Sequence, residues 1–339
     1  MNGVIPVSWP IGAACLTRMG RFFMEIILHV GAHRSATTSF QQYVRAQLAQ
    51  LEAHSIGFWG PVRTRKSIFP GLFCHPSNPK ETRRAEGRVQ MHLAHTRMAS
   101  VKQLLVSDEN MIGASRQCLR QGVLYPAIGD RMARISAALG GQITRVVMTI
   151  RTQDLWWASA AAYTVARGHP IPSVQQREQI AQGARTWRDV ITDLACAVPD
   201  AEVLIMPFEQ SAASPHLLLK AATGFDAPSG AQTPWLNRSP NARDLRGILT
   251  DQGADLTQIP DEAQRWQPFS TEQTAQLREN YADDLHWLIA GADGLATLTE
   301  DQTRKRAGTS LPAGHMTRGH GHDSGQGHDI SQGNVAHSG

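Results

Sequence analysis

Short apolar runs alternate along this chain with longer segments of helical periodicity. The runs are rich in β-branched residues and end at glycine or at polar residues, which is the pattern of buried strands. They predict strands at residues 25–30, 103–107, 143–150 and 202–206. Apolar positions three or four residues apart predict helices at 37–51, 125–139, 153–167, 175–197, 215–223 and 271–290. Such alternation predicts an α/β fold with three layers, α/β/α, around a mainly parallel sheet.

Three parts of the chain lack this alternation. Residues 1–23 precede the first strand, and we expect a loose N-terminal extension there. Residues 61–100 contain eight Lys or Arg residues and only two acidic ones, among prolines and glycines, which predicts an irregular basic insertion. Residues 301–339 are rich in glycine and histidine, a composition that predicts a disordered tail. Residues 24–300 are therefore expected to form one domain.

Composition narrows the function only slightly. The chain is 41% hydrophobic and 18% charged, which is typical of a globular protein. A net charge of +4 favours an anionic ligand but is too small to indicate a dedicated nucleic-acid binder. The four cysteines are scattered, and no apolar stretch approaches the about 18 residues of a membrane span. We therefore expect a cytoplasmic protein without a metal, a nucleic-acid partner or a membrane partner, and its oligomeric state stays open.

Three of the predicted strands are followed directly by residues that could contact a ligand. Gly31 to Thr38 follow the first strand, Asp108 to Asn110 follow the second, and Arg151 follows the third. Ligands of parallel α/β sheets lie at the carboxyl ends of the strands. These residues are therefore expected to open onto one crevice.

The segment that begins at Gly31 has the features of an anion site. Backbone N–H groups at the start of the following helix have no internal acceptor, and the helix dipole adds partial positive charge there. Arg34 adds a cation, and the segment is not a Walker A loop because no Gly-Lys pair precedes Thr37. An ordinary ATPase or GTPase is therefore disfavoured. The residues expected to bind the anion are Gly31, Arg34, Ser35, Ala36, Thr37, Thr38 and Ser39.

The run Arg34-Ser35-Ala36-Thr37-Thr38 resembles the 5′-phosphosulfate loop of the sulfotransferase family, whose usual form is Lys-(Thr/Ser)-Gly-Thr-Thr after a strand. A second segment is similar to the 3′-phosphate element of that family, with Arg151 ending a strand and Ser159 in the next helix. The resemblance implies a P-loop-like sulfotransferase fold and 3′-phosphoadenosine-5′-phosphosulfate (PAPS) as co-substrate, with no metal. Arg238 lies in a later segment that is expected to close over this adenine nucleotide.

The same resemblance implies sulfuryl transfer to a hydroxyl or amine of a carbohydrate or small hydroxylated metabolite. Arg34 is expected to stabilise the leaving phosphate by charge alone, because arginine is not deprotonated in proteins. The base is open among Glu109, Asp108 and His33, and Glu109 is favoured on the expectation that burial raises its pKa. Ala36 replaces the family glycine and predicts a differently shaped loop. The alternatives are an inactive nucleotide-binding module and, less favoured, a divergent P-loop kinase.

Overall fold

One parallel sheet forms the centre of the protein. The structure, a computed structural model, describes residues 24–73, 78–212, 214–228, 235–253 and 255–299. Across these residues six strands pair in parallel in the order β2-β3-β1-β4-β5-β6. The strands are β1 (Glu25–His29), β2 (Ile56–Trp59), β3 (Gln103–Ser107), β4 (Ile143–Ile150), β5 (Glu202–Pro207) and β6 (Thr297–Leu298).

Helices cover both faces of this sheet. Within the described residues they are α1 (Thr37–Ala46), α2 (Leu48–Ala53), α3 (Pro61–Arg63), α4 (Pro79–Met98), α5 (Ser115–Gln121), α6 (Ile128–Ala138), α7 (Gln153–Val165), α8 (Val174–Ala181), α9 (Trp187–Ala197), α10 (Phe208–Ser211), α11 (Pro215–Thr223), α12 (Ala242–Asp251) and α13 (Thr271–Ile289). A π-helical turn spans Thr64–Ile68, and 3-10 turns span Glu109–Met111 and Ala292–Gly294. None of these helices is long and apolar enough to cross a membrane.

The central strand β1 shows how the two faces are built. Its successive side chains point to opposite faces of the sheet. Ile26 and Leu28 belong to the larger hydrophobic core, under helices that include α6, α7 and α9. Ile27 belongs to a second core, together with Phe40 of α1 and Leu219 of α11. The prediction of an α/β fold with a parallel sheet is confirmed, and its two buried faces agree with three layers.

The strand order creates a crevice at the carboxyl end of β1. This strand lies between β3 and β4. The chain leaves β1 toward β2 on one side of the sheet, whereas it leaves β4 toward β5 on the other side. Loops that depart in opposite directions leave an opening between them, and ligands of open α/β sheets bind at such a point. The loops after β1 and β4 both border this opening.

The prediction of an irregular insertion at 61–100 is wrong. Most of this segment is helical, and α4 occupies Pro79–Met98. Asn78 caps the helix by accepting hydrogen bonds from the N–H groups of Lys80 and Glu81, and Pro79 occupies the first helical position. The buried residues of α4 are Ala85, Val89, Leu93 and Thr96, which form a narrow stripe beneath an otherwise polar surface. The many basic residues concealed that stripe in the sequence.

Other differences concern the ends of elements. The helix predicted at 175–197 is two helices, because Thr186 starts α9 with its own capping box. The sequence analysis missed the short strands β2 and β6 and the helices α5 and α12. The N-terminal extension predicted at 1–23 and the tail predicted at 301–339 lie outside the described residues.

Candidate functional site

The loop after β1 continues to pair with β4 before it turns away. The N–H of Ala32 donates to the carbonyl of Thr149 at 2.9 Å. Gly31 has a φ of 101°, and a Cβ added there would lie 3.0 Å from the Cβ of Glu109. Both the backbone angle and the close approach therefore require glycine at this position.

Two other residues of the loop have left-handed backbone conformations without being glycine. Arg34 has a φ of 63°, and Ala36 has a φ of 61° as the residue that caps α1. The hydroxyls of Ser35 and Thr37 both donate to the carbonyl of Ala32, at 2.6 and 2.9 Å. These hydrogen bonds stabilise the turn. The hydroxyl hydrogen of Thr37 is therefore donated within the loop. Ala36 thus adopts the positive φ that alanine was expected to resist.

A cleft of about 610 Å³ opens beside this loop. It brings together residues that the sequence analysis took from four separate segments. The predicted site residues on its wall are His33, Arg34, Ala36, Thr37, Thr38, Glu109, Arg151, Ser159 and Arg238. The other predicted site residues do not line the cleft; they are Gly31, Ser35, Ser39 and Asp108.

Arg34 crosses the cleft toward α7. Its Nε donates to the hydroxyl of Ser159 at 3.1 Å, and its Nη2 donates to the carbonyl of Asn237 at 2.8 Å and to the hydroxyl of Ser239 at 2.9 Å. Its guanidinium also lies 4.4 Å from the ring centroid of Tyr163. Burial lowers the pKa of Arg34 to about 10, which leaves the side chain charged at neutral pH. Ser159, which was assigned to the 3′-phosphate with Arg151, therefore contacts Arg34.

Arg151 lies at the end of β4 and is only 6% exposed. Its Nη1 donates to the carbonyl of Arg34 at 2.9 Å, and its guanidinium lies 4.4 Å from the ring centroid of Phe208. Its Nε is buried without a hydrogen-bond partner among the described residues. Burial, followed by repulsion from Arg265, lowers the pKa of Arg151 to about 10. A buried cation with an unused donor is well placed to receive an anion.

A strap formed by residues 235–241 lies over the loop. The N–H of Leu236 donates to the hydroxyl of Ser39 at 3.0 Å, and the side-chain amide of Asn237 donates to the hydroxyl of Thr38 at 3.1 Å. Arg238 is exposed on the strap and lies 5.6 Å from the ring centroid of Trp235. The strap therefore closes one side of the cleft, where Arg238 was expected.

The two acidic residues after β3 have different surroundings. Asp108 is fully buried; its carboxylate accepts hydrogen bonds from Thr64 at 2.5 Å and from Arg65 at 2.7 Å. The Glu109 side chain lines the cleft at 16% exposure and pairs with Arg65 at 2.9 Å. Asp108 therefore supports the wall, and of the two acids only Glu109 faces the cleft.

The expectation of a raised pKa at Glu109 is wrong. Burial acts to raise the pKa of this carboxyl, but the opposing effects of His33 and Arg65 are larger together, and the pKa lies below the usual range of glutamate. Glu109 is therefore a carboxylate at neutral pH. Its charge is partly neutralised by Arg65, which weakens it as a proton acceptor.

His33 sits beside Glu109 in a network of neutral groups. Its Nδ1 lies 3.0 Å from the hydroxyl of Tyr125, and its Nε2 lies 3.2 Å from the side-chain oxygen of Asn110. Burial lowers the pKa of His33, so the imidazole is neutral at pH 7. Because the side-chain oxygen of Asn110 can only accept, Nε2 carries the hydrogen, and the imidazole can accept a proton at Nδ1, which faces the Tyr125 hydroxyl.

Several cleft residues were not among the predicted site residues. Tyr163, Phe208, Asp244 and Arg265 line the cleft together with the predicted residues. Asp244 and Arg265 lie in the last third of the chain, where no recognisable motif marks them. Of the described residues, four arginines and two carboxylates line the cleft, which gives this lining a positive formal charge.

This arrangement is suited to an anionic ligand with more than one charged group. Arg34 and Arg151 lie on one wall, next to backbone N–H groups at the start of α1. None of the known protein families compared with this chain matches it, and no curated protein matches it. The geometry and charge of the cleft therefore provide the basis for a function.

Proposed function

We propose that this protein is a PAPS-dependent sulfotransferase with a P-loop-like sulfotransferase fold. The observation that carries the proposal is that Arg34 and Arg151 line one cleft, where the Nη1 of Arg151 donates to the backbone carbonyl of Arg34 at 2.9 Å. PAPS presents two separate anionic groups, a 5′-phosphosulfate and a 3′-phosphate. Two cations brought together from the ends of β1 and β4 match that requirement in number and in sign.

The size of the cleft also supports a nucleotide. Its volume of about 610 Å³ lies within the range of small-molecule sites. Phe208 and Trp235 lie on its wall with ring centroids 6.0 Å apart, and they supply apolar surface beside the arginines. A ligand with charged groups and a flat ring system fits such a lining better than an inorganic anion alone.

The proposed reaction is an in-line displacement at sulfur. The acceptor hydroxyl oxygen forms a bond to sulfur, the bond between sulfur and the 5′-phosphate oxygen breaks, and adenosine 3′,5′-bisphosphate leaves. Arg34 stabilises the charge that develops on the leaving oxygen. The acceptor proton passes to Glu109 or to His33, both of which line the cleft. Acceptors of this reaction are carbohydrates or small hydroxylated metabolites.

One observation favours the inactive nucleotide-binding module as a second candidate. Arg34 already donates hydrogen bonds to Ser159, Asn237 and Ser239, and arginine cannot deliver a proton to the leaving group. Both candidates bind the nucleotide, whereas only the enzyme transfers sulfate.

Transfer of sulfur-35 from labelled PAPS to a panel of carbohydrate acceptors tests the proposal. The enzyme is expected to label at least one acceptor, and Arg34→Ala is expected to lower kcat more than it weakens nucleotide binding. The Arg34→Lys variant restores the usual family residue, and it is expected to retain or raise activity. Nucleotide binding without transfer in either protein would favour the inactive module.

A further inference from the structure

A second cleft, of about 990 Å³, lies along the edge strand β2. Strand β2 pairs with β3 on one side, and the cleft lies along its length from Ile56 to Trp59. Residues of α1 and α2 form one wall, and the C-terminal end of α4 contributes to the other. The first cleft, which is the proposed nucleotide site, shares no described lining residue with this second cleft.

Three cations line this second cleft. They are Arg45, Arg63 and Lys66, against one carboxylate, Glu52. None of the three forms an ion pair with a carboxylate in the part of the chain that the structure describes. The Nη2 of Arg45 lies 3.6 Å from the position of a Cβ added to Gly60, at the end of β2. The cleft therefore has unbalanced positive charge.

Arg63 is held over a buried aromatic ring. Its guanidinium lies 5.3 Å from the ring centroid of Trp59, and burial lowers its pKa. The indole N–H of Trp59 is buried without a hydrogen-bond partner among the described residues. An unused buried donor and a partly desolvated cation are both unfavourable unless a ligand or water complements them.

The rest of the lining favours a ligand with many hydroxyls. Ser55, Ser67, Thr96 and Ser100 line the cleft, and the hydroxyl of Thr96 donates to the carbonyl of His92 at 2.8 Å. The outer edge of β2 also offers backbone N–H and C=O groups. A peptide could pair with that edge, but β2 has four residues and the chain continues into Pro61, which lacks an N–H. Hydroxyls and cations around a large cleft suit a charged sugar better than an added strand.

The turn at Thr64–Ile68 connects the two clefts. Arg63, next to the turn, and Lys66, within it, line the second cleft, whereas Arg65 between them donates to Asp108 and pairs with Glu109 at 2.9 Å. Glu109 lines the first cleft. Lys66, which would hold such a ligand, is therefore the neighbour in sequence of Arg65, which pairs with the proposed base Glu109.

We propose that the second cleft binds the carboxylate-bearing sugar of an acidic oligosaccharide, through Arg45, Arg63 and Lys66. That this oligosaccharide also accepts sulfate rests on the proposed function. That its acidic sugar binds in the second cleft does not depend on the proposed function.

Isothermal titration calorimetry on the full chain without nucleotide tests this site. The probes are cellobiouronic acid and its uncharged counterpart cellobiose. The acidic disaccharide is expected to bind at least about tenfold more tightly, as one charge-assisted hydrogen bond predicts. Arg63→Ala and Lys66→Ala should each remove most of that preference. Arg84→Ala, an exposed arginine of α4 outside the cleft, is the control and should leave the preference unchanged.

Four results would overturn the proposal. They are absence of binding, equal affinity for the two disaccharides, an undiminished preference in Arg63→Ala, or tighter binding of inorganic phosphate or of a tetraglutamate peptide. The variants should keep the melting-temperature shift that adenosine 3′,5′-bisphosphate gives. Absence of sugar binding in the wild-type chain, with that shift intact, refutes the second cleft alone, whereas absence of the shift in the wild-type chain refutes the nucleotide proposal.

Discussion

The loop after β1 and the end of β4 each bring one arginine to the same cleft, but the two guanidinium groups have different surroundings. Arg34 donates hydrogen bonds to Ser159, Asn237 and Ser239. Arg151 donates to the carbonyl of Arg34, and its Nε is buried with no hydrogen-bond partner in the ranges that the structure describes. The guanidinium of Arg34 is already hydrogen-bonded to protein groups, whereas the guanidinium of Arg151 has an N–H donor with no partner among the described residues.

This difference predicts unequal contributions to anion binding. A phosphate that reaches Arg151 gains charge-assisted bonds, and no described hydrogen bond of its Nε has to break. A phosphate that reaches Arg34 must replace existing bonds to the strap and to α7, so its net gain is smaller. Arg151 is therefore expected to dominate affinity, while Arg34 couples the ligand to the strap.

Arg151→Ala is expected to have the largest effect. Adenosine 3′,5′-bisphosphate should lose about 3 kcal/mol of binding free energy, on the order of 100-fold in Kd, because a buried charged donor is removed. AMP with a 5′-phosphate alone should lose much less. Calorimetric titration with both nucleotides measures the difference, and Arg188→Ala, at an exposed arginine outside the cleft, is the control. Equal losses for the two nucleotides would remove Arg151 from the 3′-phosphate site.

The next effect concerns the end of β1, where His29 is 1% exposed and bonded to Ser107 at 2.8 Å. Burial lowers the pKa of His29 from 6.5 to about 4. The unfolded chain therefore takes up a proton first as the pH falls. The stability contributed by neutral His29 is complete above pH 6.5 and is lost between pH 6.5 and about 4.

Denaturant unfolding of wild type and His29→Asn at two pH values measures this contribution. The difference in their unfolding free energies should change by about 2 kcal/mol between neutral pH and about pH 5, with wild type losing more. The exposed His54 provides the control, and the difference between wild type and His54→Asn should stay nearly constant. A constant difference for His29→Asn as well would mean that this histidine is not held neutral.

Arg34→Ala should have a smaller effect on binding. We expect a loss of about 1 kcal/mol for adenosine 3′,5′-bisphosphate, because the ligand no longer has to displace the bonds to Ser159, Asn237 and Ser239. The strap at 235–241 should exchange its amide hydrogens faster in the free variant. A loss larger than that of Arg151→Ala would reverse the comparison.

Ala36→Gly should have the smallest effect and the opposite sign. Glycine removes about 1 kcal/mol of left-handed strain, and part of that gain is offset by the greater entropy of the unfolded chain. A net stabilisation of about 0.5 kcal/mol is expected in denaturant unfolding. Ala133→Gly, at an exposed position within α6, should instead destabilise by about 1 kcal/mol. Destabilisation by both variants would contradict the backbone geometry at Ala36.

The elements that the sequence predicted well are those with strong local patterns. Ile143–Ile150 is a buried β-branched run, and its strand has the predicted bounds. The short strand Ile56–Trp59 contains a glycine and directly follows a turn, so it offered little pattern to detect. Helix α4 carried its start signal at Asn78 and Pro79, but its dense basic residues suggested a loop. Tertiary burial of a narrow stripe, rather than local preference, stabilises that helix.

The candidate site shows a similar division. The order of strands brings the loop after β1 and Arg151 together, as the carboxyl-end rule predicts. The orientations of Asp108 and Glu109 depend on the partner Arg65, which lies more than forty residues away in the chain, and no local pattern indicates such a contact. For the same reason the sequence could not show that Ser159 contacts Arg34.

Melting temperatures of the full chain with adenosine 3′,5′-bisphosphate, with 5′-AMP and with ATP plus magnesium show whether one cleft holds two anionic groups of one adenosine ligand. A clear rise is expected with the 3′,5′-bisphosphate, and much smaller rises are expected with the other two. Equal rises with 5′-AMP and the bisphosphate, or the largest rise with ATP and magnesium, would mean that the cleft does not bind the two groups together.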